Sequence, residues 1–67
     1  MITIYGHQYC NKCKEALRIV KEKELDYGYL DVIENEQARR FLDINGIAEL
    51  PYIIKSEQIS LDQLRNL

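Results

Sequence analysis

The two cysteines of the chain, Cys10 and Cys13, are separated by only two residues. The segment before them, residues 2–5, is β-branched and aromatic and predicts a strand. The segment after them, from about residue 11 to residue 24, spaces its apolar residues as on one face of an amphipathic helix. A Cys-x-x-Cys pair at such a strand-to-helix junction is the context in which this motif indicates dithiol chemistry.

Three interpretations of the cysteine pair are open at this point. A disulfide that closes so short a loop removes little chain entropy from the unfolded state. A structural disulfide here would therefore add little to the stability of the fold. A structural zinc site needs four ligands, and only His7 shares the regular spacing of the two cysteines. Its fourth ligand would have to be a carboxylate or come from a partner chain. The third interpretation is a dithiol that cycles between reduced and oxidised states.

The middle of the chain predicts a second strand and a second helix. Residues 27–33 are apolar on both faces, which is typical of an interior or a parallel strand. Asn35 or Glu34 is predicted to cap the helix, and Asn45-Gly46 is a stop signal.

The last third of the chain predicts a strand, a hairpin and a short helix. The third strand, residues 50–54, is entered through Pro51, the single proline. Residues 55–57 predict a tight turn, and residues 58–59 predict an antiparallel partner strand. Residues 60–63 have the sequence of a capping box for a final helix. That helix is expected to bury three leucines: Leu61, Leu64 and Leu67.

The order of elements is therefore β-α-β-α-β-β-α, in one domain that covers residues 1–67. The first two strands are joined by a helix, so they should be parallel with a right-handed crossover. The hairpin makes the last two strands antiparallel. The sequence predicts an α/β fold with a small four-stranded mixed sheet flanked by helices.

Charge and hydropathy argue against several classes of function. The net charge of −2 and the pI of about 5.3 have the wrong sign for an electrostatic nucleic-acid binder. No stretch approaches the ~20 apolar residues of a membrane span, and the first residues lack the pattern of a secretory signal. We therefore expect a cytoplasmic protein, monomeric by default, that binds neither nucleic acid nor a membrane.

With these elements in place, the chain resembles the thioredoxin fold in its small glutaredoxin form. The resemblance rests on the first strand, on Cys10-x-x-Cys13 at the start of the first helix, and on Gly46 and Leu50-Pro51 before the third strand. It covers nearly the whole chain. In that superfamily the proline is cis and faces the dithiol, so the resemblance implies a cis peptide bond at Pro51.

Within that superfamily the chain looks most like the NrdH-type redoxins, small electron donors of ribonucleotide reductase. Residues 2–5 and 46–51 are similar to that group. Ordinary glutaredoxins usually have Cys-Pro-Tyr-Cys, then Thr-Val-Pro, then a Gly-Gly pair followed by an acidic residue that contacts glutathione, which Asp62 would match here. The corresponding positions of this chain hold Asn11-Lys12, Glu49-Leu50 and Ile59-Ser60. These departures weigh against recognition of glutathione.

The residues suggest distinct roles for the two thiols. Cys10 is predicted to be the nucleophile, because the backbone N–H groups and the positive end of the helix stabilise its thiolate. Cys13 lies one turn further on the apolar stripe and is predicted to be the shielded, resolving thiol. The resemblance implies that the backbone of Leu50, beside Pro51, pairs with an extended substrate. Further candidate substrate contacts are Tyr9, Lys12 and Asp62.

The resemblance implies a dithiol–disulfide oxidoreductase whose only redox group is the Cys10–Cys13 disulfide, with no bound cofactor. Its electron donor would be thioredoxin reductase or glutathione, and its acceptor a protein disulfide such as that of ribonucleotide reductase. The alternative is a binding module that holds a metal or an iron–sulfur cluster, or a redox-inactive thioredoxin-fold adaptor, in which the two cysteines are ligands or inert thiols.

Overall fold

The computed structural model describes all 67 residues as one sheet with helices on both faces. The predicted order of elements is confirmed. The bounds of the elements are β1 (Ile2–Gly6), α1 (Asn11–Glu22), β2 (Tyr27–Asp31), α2 (Glu36–Ile44), β3 (Tyr52–Ile54), β4 (Gln58–Ile59) and α3 (Leu61–Arg65).

The sheet has the strand order β2-β1-β3-β4. β1 pairs in parallel with β2 and antiparallel with β3, and β3 pairs antiparallel with β4. The predicted mixed sheet is thus confirmed, and β1 occupies an interior position between two partners. Near the end of β1, Tyr5 is paired on both sides, and Gly6, where the chain turns towards the cysteines, is paired with β2 only.

Side chains of the sheet pack into two hydrophobic clusters, one on each face. On the first face Ile4 and Ile53 are buried under α1 and α3. On the second face Val32 packs with α2 through Ala38 and Leu42. Each helix buries the apolar stripe that its sequence predicts, so one helix pair and one single helix cover the sheet.

The apolar pattern of the second strand predicts an interior or a parallel strand, and β2 is the parallel strand of this pair. It pairs only with β1 and lies at the edge of the sheet, not in its interior. It also ends at Asp31 instead of residue 33. The carboxylate of Asp31 accepts hydrogen bonds from the N–H groups of Ile33 at 2.8 Å and of Glu34 at 3.3 Å. These bonds fold the chain into a turn, and a turn cannot extend the ladder.

The first helix ends at Glu22, two residues before its predicted end. Glu24 adopts φ 55°, and the N–H of Leu25 donates to the carbonyl of Val20 at 3.0 Å, as in a Schellman motif. A glycine normally occupies the position with positive φ in this motif. Because a glutamate occupies it here, the sequence pattern did not predict where the helix ends. The second helix ends in the same way at Gly46, where φ is 65°, and that stop was predicted.

The final helix confirms the capping box. The hydroxyl of Ser60 accepts from the N–H of Gln63 at 3.1 Å, and the amide oxygen of Gln63 accepts from the N–H of Ser60 at 2.8 Å. Leu64 is fully buried, but Leu67 is 44% exposed, so its predicted burial is wrong. The helix ends at Arg65, and Leu67 therefore lies beyond the apolar stripe.

The third strand is shorter than residues 50–54. It starts at Tyr52, which pairs with Tyr5, because Pro51 has no N–H to donate to the ladder. None of the helices is both long and apolar enough to cross a membrane.

Candidate active site

Cys10 is the N-cap residue of α1. Its backbone is extended, at φ −99° and ψ 114°, and its sulfur accepts a hydrogen bond from the N–H of Cys13 at 3.2 Å. A helix leaves its first N–H groups without partners, and here a thiol takes the place of the usual hydroxyl or carboxylate cap. Cys10 is half-buried, so the sulfur is held by the helix and still reaches solvent.

The turn between β1 and α1 orients Cys10 through short-range hydrogen bonds. The N–H of Cys10 donates to the carbonyl of His7 at 3.3 Å. The imidazole Nδ1 of His7 accepts from the N–H of Tyr9 at 3.1 Å. His7 thus stabilises the turn itself, and Tyr9, which directly precedes Cys10, is 75% exposed.

Cys13 is completely buried against the end of β1. Burial raises the pKa of its thiol to about 12, with smaller contributions in the same direction from the hydrogen bond to Cys10 and from the negative charges of Cys10 and Asp31. The hydrogen bond from the backbone of His7 opposes this increase. Cys13 therefore stays a neutral thiol in the reduced protein, shielded from large molecules.

Gly6, the last residue of β1, makes room for Cys13. A Cβ atom added at Gly6 would lie 2.8 Å from the sulfur and 2.9 Å from the Cβ of Cys13, and 2.8 Å from the hydroxyl oxygen of Tyr29. Real Cβ atoms do not approach other atoms so closely. Any side chain at this position would displace the thiol of Cys13.

The hydroxyl of Tyr29 lies next to the same vacant position at Gly6. Burial raises the pKa of its phenol to about 12, and the charges of Cys13, Asp31 and Cys10 add to the increase. Sequence reasoning treated Tyr29 as a packing residue of the sheet and missed its closeness to the dithiol. The signal that would have revealed it is the parallel pairing of β1 and β2, which sets Tyr29 beside Ile4.

A broad groove of about 1020 Å³ opens beside the first turn of α1, and neither cysteine lines it. It lies between the first turn of α1, the segment of residues 47–52 and the start of α3. Four of the predicted site residues line it: Lys12, Leu50, Pro51 and Asp62. Tyr9 lies outside this lining. The Leu50–Pro51 peptide bond is cis, the geometry that the resemblance implied.

Asp62, a predicted substrate contact, is already paired within the groove. Arg65 donates to its carboxylate at 2.9 Å and also lies 3.8 Å from the carboxylate of Glu15. Sequence reasoning missed Arg65, although its spacing of three residues from Asp62 on a helix would have indicated the pair. Such exposed ion pairs are weak, so the groove offers a network of alternating charges and a free cation at Lys12.

The structure does not bring together the ligands that a metal site would need. No group of three or more histidine, cysteine, aspartate or glutamate side chains converges anywhere in the chain. In particular His7, Cys10 and Cys13 do not form such a group, because the imidazole is turned to the N–H of Tyr9.

Comparison with known proteins places the chain among redox proteins. The sequence model of the glutaredoxin family matches residues 2–59. No curated relative matches the chain by sequence.

Solved structures show the same fold. The NrdH-redoxin from Escherichia coli, described as a glutaredoxin-like protein with a thioredoxin-like activity profile, is 24% identical with a TM-score of 0.81, over 98% of this chain and 92% of that one. A variant of the thioredoxin-like protein BC3987 is 22% identical with a TM-score of 0.82, and the match covers 100% of this chain and 97% of that one. The glutaredoxin from Archaeoglobus fulgidus is 21% identical with a TM-score of 0.71, and the match covers 98% of this chain and 83% of that one. These likenesses confirm the thioredoxin-like fold.

Replacement of Gly6 by alanine should destabilise the protein by about 1–3 kcal/mol, because the new methyl group overlaps the buried atoms of Cys13. The matched control is Gly28→Ala on β2, where an added Cβ meets only the Met1 side chain at 3.9 Å. That variant should keep its stability within about 0.5 kcal/mol. Urea unfolding of the reduced proteins measures both, and equal stability of the two variants would contradict this packing.

The reduced protein should lose stability as the pH rises from about 9 towards 12. The folded state holds the pKa of Cys13 at about 12 against an ordinary value of 9.0, so the unfolded chain releases this proton first and high pH favours unfolding. Urea midpoints measured between pH 8 and pH 11, values chosen to span this window, should fall less steeply for Cys13→Ala. Parallel slopes in both proteins would show that Cys13 does not titrate as described.

Proposed function

The chain belongs to the glutaredoxin family, and from this premise we propose that it is a dithiol–disulfide oxidoreductase that passes electrons to protein disulfides through Cys10 and Cys13. The observation that carries the proposal is the unequal placement of the two thiols. Cys10 caps a helix and reaches solvent, whereas Cys13 is fully buried directly behind it. The thiol of Cys10 can therefore react with the disulfide of another molecule, whereas the thiol of Cys13 can react only with Cys10.

The first step is attack of the Cys10 thiolate on one sulfur of the substrate disulfide. The N–H of Cys13 already donates to the Cys10 sulfur at 3.2 Å, and the positive end of α1 stabilises the same negative charge. A bond forms between Cys10 and the substrate sulfur, the substrate disulfide breaks, and its second sulfur leaves as a thiolate that takes a proton from water.

The second step regenerates the substrate thiol. Cys13 gives up its proton and attacks the sulfur of Cys10, which joins the two cysteines and releases the remaining substrate sulfur as a thiolate. The two cysteines lose two electrons in total, and the substrate disulfide gains them. An external reductant must then supply two electrons to the Cys10–Cys13 disulfide before the next cycle.

The groove supports a substrate that is an extended peptide segment. It is open, and it presents apolar surface at Leu50 and Pro51 together with the free cation of Lys12. A protein chain fits such a surface better than a small buried ligand does, since small-molecule sites enclose most of their ligand. Tyr9, exposed beside Cys10, adds an aromatic contact for the same partner.

We propose thioredoxin reductase as the electron donor and ribonucleotide reductase as the acceptor, in the cytoplasm. This part rests on the likeness to the NrdH-redoxin from Escherichia coli and its thioredoxin-like activity profile. One feature of the chain supports it against glutathione. The Gly-Gly pair of glutathione-binding glutaredoxins is replaced by Ile59-Ser60.

Replacement of Cys10 by serine should abolish reduction of insulin disulfides, because no other thiol reaches solvent. Replacement of Cys13 by serine should allow the first step only, so a mixed disulfide between Cys10 and the substrate accumulates and is detected by mass spectrometry. Circular dichroism controls for folding. Turnover by the Cys10→Ser protein at the parent rate would disprove the mechanism.

The donor is assigned by an assay of the oxidised protein that follows consumption of NADPH. One arm supplies thioredoxin reductase, and the other supplies glutathione with its reductase. We expect turnover in the first arm only. Turnover in the glutathione arm would overturn the proposed donor while leaving the oxidoreductase mechanism intact, and loss of that turnover in Asp62→Asn would then identify the contact.

A further inference from the structure

The parallel pairing of β1 and β2 assembles a titratable cluster behind the dithiol. Ile4 pairs with Tyr29, and Gly6 pairs with Asp31. Because alternate residues of a strand share a face, Gly6, Tyr29 and Asp31 all lie on the face covered by α1. Cys13 projects onto this face from α1, and Gly6 leaves the space between Cys13 and Tyr29 empty of side-chain atoms.

The polar groups of this cluster act differently on a negative charge at Cys13. The negative charges of the Asp31 carboxylate and of the Cys10 sulfur disfavour ionisation of Cys13. The N–H of Cys13 is used by Cys10, and the backbone of His7 supplies a favourable hydrogen bond. The hydroxyl of Tyr29 is a further donor, and it lies, like the sulfur of Cys13, 2.8 Å from the vacant Cβ position of Gly6.

We propose that the hydroxyl of Tyr29 donates a hydrogen bond to the Cys13 thiolate while that thiolate resolves the mixed disulfide. The inference rests on the proposed oxidoreductase function and adds one residue to its second step. The sulfur of Cys13 loses its proton to water, accepts the hydrogen bond from Tyr29 and attacks the sulfur of Cys10. The bond between Cys10 and the substrate breaks, the substrate thiolate leaves with the electron pair, and it is protonated by water.

The change of state at Cys10 favours this role. In the resting dithiol, burial raises the pKa of Cys13 to about 12, and the hydrogen bond and charge of Cys10 add to the increase. These two contributions of Cys10 disappear in the mixed disulfide, because Cys10 then carries neither a proton nor a charge, whereas the effect of burial remains. Burial also raises the pKa of the Tyr29 phenol, so its hydroxyl keeps the proton that it donates.

The two steps are separated with 5,5′-dithiobis(2-nitrobenzoic acid), a small aromatic disulfide that releases a yellow thiolate. Attack by Cys10 releases the first thiolate, and resolution by Cys13 releases the second. Stopped-flow absorbance follows both phases in the intact, reduced chain. Tyr29→Phe removes the hydroxyl and keeps the ring, and Tyr27→Phe is the matched control, since Tyr27 lies on the same face of β2 beside Ile2.

In Tyr29→Phe the second phase should be about tenfold slower, the loss expected for one hydrogen bond to a charged group. Its pH profile should also shift to higher pH, because the thiolate of Cys13 forms less readily. The first phase should keep an amplitude of one released thiolate per chain. Tyr27→Phe should match the parent protein in both phases and in its pH profile.

Three results would overturn the role of Tyr29: an unchanged second phase in Tyr29→Phe, an equal slowing in Tyr27→Phe, or a slowing without a shift of the pH profile. The last would indicate a packing effect of the hydroxyl. Failure of the proposed function gives a different result, in which the parent protein lacks the first phase or Cys10→Ser retains it.

Discussion

The hydrogen bond from the N–H of Cys13 to the sulfur of Cys10 is the contact through which fold and chemistry depend on each other. The start of a helix leaves donors that need an acceptor, and here the acceptor is a thiol at the N-cap position. The same bond holds the two cysteines one helical turn apart and supplies partial positive charge where a thiolate forms. A residue that caps the helix well is for that reason also placed to be a nucleophile.

The hydrogen bond between the two cysteines lies beside β1, which is held in the interior of the sheet between β2 and β3. β1 is paired on both sides, so its last residue, Gly6, is fixed by the ladder to β2 and by its position over α1. Cys13 is buried against Gly6 because glycine has no side chain there. The absence of a side chain at Gly6 thus allows the thiol of Cys13 to be fully buried, whereas Cys10 is only half-buried.

Much of this arrangement follows from local sequence patterns. The order of elements, the capping box at Ser60 and the helix stop at Gly46 depend on residues close together in the chain. The unequal roles of the two cysteines also follow from local sequence and stay a prediction. Other features have no local signal. A glutamate ends α1 with a positive φ, and β2 lies at the edge of the sheet although it is apolar on both sides. The position of Tyr29 beside Cys13 depends on the register between two strands, which no short segment encodes.

The burial that protects Cys13 also opposes its use, since a buried thiol ionises poorly. The state of Cys10 reduces this conflict. While Cys10 is free, its hydrogen bond and charge add to the effect of burial and keep Cys13 protonated, so the reduced protein presents one accessible sulfur. In the proposed mechanism, the bond from Cys10 to a substrate removes these two contributions, while burial and the neighbouring donors at His7 and Tyr29 remain. The first step therefore makes Cys13 easier to ionise for the second.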